Sequence, residues 1–75
     1  MKYRGFVQVE DYVPIRTRLH NTAKEASQNL RELVLSLGNH PKESVTIALL
    51  SENGRVLRSF RVTLEEAKRQ AALPH

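Results

Sequence analysis

Six arginines, Arg4, Arg16, Arg18, Arg55, Arg58 and Arg61, fall in segments whose apolar residues alternate, and a row of guanidinium groups suits one chemistry above others, bidentate pairing with phosphate oxygens. Catalytic and metal-binding chemistry have no comparable set. His20, His40 and His75 are 20 and 35 residues apart with no carboxylate at metal-ligand spacing, so each reads as a surface residue. Glu65 and Glu66 form an acidic first helical turn, which the helix dipole accounts for without catalysis. Ser27, Ser51 and Ser59 have no local nucleophile context, and so short a chain has little room for a cleft that excludes water. The expectation is a protein that is not an enzyme and uses no cofactor and no metal.

The chain has 75 residues, enough for one domain over 1–75 with a thin stability margin. It has no cysteine, so neither disulfides nor thiolate metal sites add stability, and a homodimer that buries further apolar area would. Twelve Lys and Arg against eight Asp and Glu give a net charge of +4, which favours nucleic acid or an acidic protein surface as partner. The first ten residues lack the apolar stretch of a signal peptide, and the longest apolar run is residues 47–50. A cytoplasmic location with no membrane partner is expected.

The arginines are positioned by strands. Residues 3–9 alternate with Tyr3, Val7 and Val9 on one side and Arg4, Phe6 and Gln8 on the other. Residues 13–20 place Val13, Ile15, Thr17 and Leu19 on one face and Arg16, Arg18 and His20 on the other, with Pro14 at the strand start or on a sheet edge. Thr22 with Glu25 forms a capping box, and Ala23, Ala26, Leu30, Leu33, Val34 and Leu37 make the stripe of an amphipathic helix that Gly38 closes as a left-handed cap. Asn39, His40 and Pro41 lead away from it. Residues 44–50 and 55–62 flank Asn53-Gly54, a hairpin signal in which both turn residues accept positive φ. Thr63 with Glu66 caps a second helix from 64 to about 72, with Leu64, Ala67 and Ala71 on its inner face, and residues 73–75 form a frayed end.

The order is ββαββα. Sliding the chain by 41 residues lays Ile15 on Val56, Leu19 on Phe60, Thr22 on Thr63, Glu25 on Glu66 and Ala26 on Ala67. Such a pseudo-repeat makes an α+β fold, a four-stranded antiparallel sheet with both helices packed on one face. The other face is open. Each helix balances its charges, whereas the strands hold the six arginines and no acid. By alternation Arg4, Phe6, Gln8, Arg16, Arg18, His20, Leu57, Ser59 and Arg61 share the open face with Thr46, Ala48 and Leu50. Arg58 breaks the pattern, sharing parity with Val56, Phe60 and Val62, which places it at a sheet edge or beside a bulge.

The segment Arg16-Thr-Arg18-Leu19-His20-Asn21-Thr22-Ala-Lys-Glu25-Ala26 resembles the sheet end and helix start of the arm-type DNA-binding domains of phage integrases, and Leu57-Arg58-Ser-Phe60-Arg61-Val-Thr63-Leu-Glu-Glu66-Ala67 resembles it again. In that family a three-stranded sheet before one helix contacts DNA. The resemblance therefore implies contacts by Arg16, Arg18, Arg58 and Arg61. The layout is also similar to that of small uncharacterised bacterial and phage strand-strand-helix proteins with an Asn-Gly hairpin.

Two functions stay open. One is a small basic nucleic-acid-binding or regulatory protein using Arg4, Phe6, Arg16, Arg18, His20, Arg55, Arg58 and Arg61, with Phe6 stacked on a base. The other is a protein-binding module, such as a phage or mobile-element inhibitor of a host enzyme. The same arginines also serve to keep strand edges soluble, and Phe6, Ala48, Leu50 and Leu57 also read as a self-association patch.

Overall fold

A computed structural model describes residues 1–38 and 42–73 of the chain; Asn39 to Pro41, Pro74 and His75, and with them two of the three histidines, lie outside the described residues. The elements are β1 (Tyr3–Val9), β2 (Ile15–Arg16), α1 (Ala23–Ser36), β3 (Ser44–Ser51), β4 (Val56–Thr63) and α2 (Leu64–Ala72). The fold is α+β, with one antiparallel sheet in the order β2-β1-β3-β4. Val7, Val45 and Ile47 from the central strands meet Leu30 and Val34 of α1 and Ala67 and Ala71 of α2 in one core.

Helix starts follow from threonine caps. Thr22 Oγ1 accepts the Glu25 amide at 3.1 Å, and Thr63 Oγ1 accepts the Glu66 amide at 3.2 Å, each satisfying a donor that the first helical turn leaves free. Each cap is half of the expected capping box, since neither glutamate carboxylate returns to its threonine amide, and that of Glu66 turns outward to Arg69 and Gln70. α1 closes at Leu37 in extended geometry (φ −67, ψ 149), with the Leu37 amide on the Val34 carbonyl, in place of the expected left-handed cap at Gly38. Its last turn carries no basic residue of its own, so α2 supplies one: Lys68 Nζ donates to the carbonyl of Leu37. Arg31 of α1 returns the contact, donating to the carbonyls of Ala71 at 2.9 Å and Leu73 at 3.0 Å. Each antiparallel helix thus places a cation on the other's negative end.

Gly5 sets the distance between α1 and the sheet. A β-carbon there would lie 2.9 Å from Leu30 Cδ1 and 3.0 Å from Leu30 Cβ. The leucine fills the space that a glycine leaves open.

The second strand is much shorter than the alternation of residues 13–20 suggests. Only Ile15 and Arg16 pair as a strand with β1, and Val13 (85% exposed) and Ile15 (41% exposed) stay outside the core. The hairpin also differs. Only Gly54 has positive φ (+84), and a Glu52 to Gly54 loop is closed by Gly54 N–H on the Ser51 carbonyl and Ser51 N–H on the Arg55 carbonyl, a three-residue loop with a glycine bulge. The 41-residue offset keeps the caps and the buried positions Ala26/Ala67 and Leu30/Ala71 in step, but it lays Val7 on Ala48, and those two point to opposite faces. Strand pairs and helices therefore need different offsets.

Gly5→Ala is expected to lower stability by about 1–3 kcal/mol through overpacking against Leu30, read as a lower urea midpoint with an unchanged m-value. A midpoint equal to that of the parent would show that Leu30 is not held at Gly5.

Candidate nucleic-acid interface

Register assigns the open face residue by residue. Arg16, Phe6, Ala48 and Ser59 form one row across all four strands, Arg4, Leu50 and Val56 a second, and Gln8, Thr46 and Arg61 a third. Three arginines thus surround a middle of Phe6, Ala48 and Leu50. The guanidinium of Arg16 lies 5.5 Å from the Phe6 ring centroid, a cation–π contact worth about 0.5–1 kcal/mol at an exposed site. Within the rows there is no carboxylate. Glu10 and Glu52 stand at the two ends, where Glu10 Oε2 is 4.0 Å from Arg61 and Glu52 accepts the Lys2 amide at 3.2 Å.

Glu10 has φ +47 and ends β1 by a substitution of acceptors: its amide donates to the Ser44 carbonyl at 2.8 Å while its carboxylate accepts the Ser44 amide at 2.6 Å. Thr17 makes a similar substitution at β2. Its Oγ1 accepts the Gly5 amide at 2.8 Å and donates to the Arg18 carbonyl at 2.9 Å, while its own amide donates to the Gly5 carbonyl. The side chain takes the place of a main-chain acceptor, and the ladder loses register there.

Beyond that slip Tyr3 pairs with His20, one residue out of phase with the Phe6/Arg16 pair. His20 therefore turns to the helix side, where its ring nitrogen meets Asn29 Oδ1 of α1 at 3.3 Å, and it does not join the open face. Arg18 is exposed beyond the end of β2. Arg55 is exposed in the hairpin outside the strand, held by its amide on Ser51 Oγ.

A second slip, between Leu49 and Leu50, leaves Leu57 as an extra residue in β4. It puts Val56 opposite Leu50 on the open face, where strict alternation had placed it inward, and leaves Arg58 opposite Leu49 on the helix side. There Arg58 and Phe60 line a groove of about 290 Å³ with Ser27, Leu30, Gln70 and Ala71. Of the eight site candidates, Arg4, Phe6, Arg16 and Arg61 share the open rows; Arg58 and His20 do not. Lys2, which the alternation of residues 3–9 left out, extends the face by one row through its backbone pairing with Glu52. Among the described residues no group of three or more His, Asp or Glu could hold a metal ion, and no helix is long and apolar enough to cross a membrane.

Comparison with known proteins finds no matching family model, no matching curated protein and no matching solved structure.

Thr17→Val keeps the shape and removes the acceptor of the buried Gly5 amide. A stability loss of about 1–3 kcal/mol is expected, together with faster hydrogen exchange at the Gly5 amide by NMR. Unchanged exchange there would show that the hydroxyl does not hold the strand end.

Proposed function

We propose that the open sheet face binds nucleic acid, with Arg4, Arg16 and Arg61 on phosphates and Phe6 as the apolar contact between them. The observation that carries this reading is the set of three rows, in which cations surround an aromatic ring and the carboxylates are held at the ends. A twisted antiparallel sheet can follow a backbone or enter a major groove, and guanidinium groups give paired hydrogen bonds to phosphate. The likeness of the two Arg-rich segments to integrase arm-type domains supports the same class of partner, with Arg16 and Arg61 as its matching contacts. Arg58, a third residue that the likeness casts as a contact, lies on the other face and takes no part.

A protein-binding module, such as an inhibitor of a host enzyme, is the second reading, favoured by the groove beside Phe60, where Arg58 would meet an acidic partner.

Three phosphate contacts give a slope of about −3 in log K against log salt for each copy engaged on duplex DNA. Arg4→Ala, Arg16→Ala and Arg61→Ala are each expected to reduce that slope by about 1, and Arg58→Ala to leave it unchanged. Fluorescence anisotropy over a salt series with duplex and single-stranded DNA and RNA measures this. No binding to any of them at low salt sinks the proposal, as does a loss for Arg58→Ala equal to the other three.

A further inference from the structure

The two edges of the sheet are built differently. β2 is two residues long, follows Pro14 and ends where Thr17 interrupts the ladder, so it offers almost nothing to pair with. β4 has eight residues, Val56–Thr63, with no Pro, Gly or Lys, and Val56 (57%), Leu57 (41%) and Phe60 (48%) are exposed. A long edge with exposed apolar side chains is a template for another strand, and its guards, Arg58, Arg61 and the bulge at Leu57, leave the backbone of Ser59 to Arg61 free to pair.

We propose that β4 pairs antiparallel with β4 of a second copy of this chain, joining two sheets across a two-fold axis at Phe60. The hydrogen-bond phase of the strand sets which residues can pair. The Leu64 amide donates to the Glu43 carbonyl, so 43 and 64 are a hydrogen-bonded pair, and alternation assigns the amides and carbonyls of Arg58, Phe60 and Val62 to β3. Those of Ser59 and Arg61 point to the free edge. Centred on Phe60, Ser59 of each copy pairs with Arg61 of the other, making about four inter-strand hydrogen bonds. The two Phe60 side chains then face each other at a non-hydrogen-bonded position, where side chains lie closest, as an aromatic pair.

Charge selects the same register. Among the described residues neither Arg58 nor Glu65 has an ion-pair partner, and both are exposed. Pairing about Phe60 sets Arg58 opposite Val62 of the second copy, beside the first turn of its α2, which carries Glu65. Each copy thus supplies a cation and a carboxylate to the other. Centring on Arg61 would oppose two guanidinium groups, and centring on Ser59 would oppose Arg58 to Phe60 and lose the aromatic pair. The inference does not depend on what the open face binds.

Sedimentation equilibrium of nuclease-treated protein is expected to give the dimer mass. Ser59→Pro removes an outward amide and leaves the β3 ladder intact, so a folded monomer is expected, with Ser59→Ala still a dimer. Because the chain has no cysteine, single substitutions report the register: Phe60→Cys is expected to form a disulfide-linked dimer at least about tenfold faster than Ser59→Cys or Arg61→Cys, since facing β-carbons at that position meet disulfide geometry. Arg58→Glu should weaken the dimer and Arg58→Glu with Glu65→Arg restore it. If Ser59→Pro does not fold, the cysteine series and the charge swap decide. A monomer mass at every concentration into the millimolar range overturns the proposal, as does a folded Ser59→Pro dimer, cross-linking fastest at Ser59→Cys or Arg61→Cys, or a charge swap that restores nothing.

Discussion

The seat of Leu30 on Gly5 is the contact from which the layering follows. Because the leucine occupies the place of a β-carbon, α1 lies close over β1, a central strand, and α2 packs beside it with Lys68 and Arg31 as mutual end caps. α2 follows β4 directly and packs on β3 and β4, yet it does not cover the outer part of β4. β4 is then left with its inner side chains, Arg58 and Phe60, along an open groove and its outer backbone unpaired. A larger residue at position 5 would press on Leu30 and strain the packing of α1 on β1.

Helix charge and strand charge have separate uses. Arg31 and Lys68 are spent on carbonyls at helix ends, and Arg69 pairs with Glu66 within α2. All three are internal contacts, and those of Arg31 and Lys68 contribute to stability by relieving the carbonyls that every helix leaves unsatisfied. The strand arginines have few such duties: Arg16 rests on Phe6, and Arg61 has Glu10 at 4.0 Å with its own side chain 63% exposed. Net charge alone would not separate the two groups.

Much of this was legible in the sequence. Thr22 and Thr63 marked the helix starts, the spacing of Ala26, Leu30 and Val34 marked the buried stripe, and alternation in residues 3–9 and 44–50 identified the central strands with their inward Val7, Val45 and Ile47. What alternation could not reach was register at the borders. There side-chain oxygens stand in for main-chain acceptors, Thr17 for the Gly5 amide, Glu10 for the Ser44 amide and Glu52 for the Lys2 amide, and each substitution depends on three-dimensional approach between distant residues. A slip of one residue moves a side chain to the opposite face. That is why His20 faces α1 and Val56 the open face; Arg58 faces the helix side by the alternation it shares with Phe60 and Val62, and Arg18 and Arg55 lie beyond strand ends, which leaves four of the eight proposed contacts in the open rows.

The same two slips tie the face to the edge. Between the bulge at Leu57 and the start of α2, Arg58 and Phe60 face the helix side and Ser59 and Arg61 the open face, so one strand serves both surfaces with alternate residues. Joining two copies along β4 would place both Arg61 side chains near the middle of a single continuous face, with Arg4 and Arg16 of each copy farther out. Like charges brought together there raise the cost of pairing, and the Glu10 carboxylate near each Arg61 reduces it. A polyanion lying across the join would screen the two Arg61 side chains from each other and reduce it further.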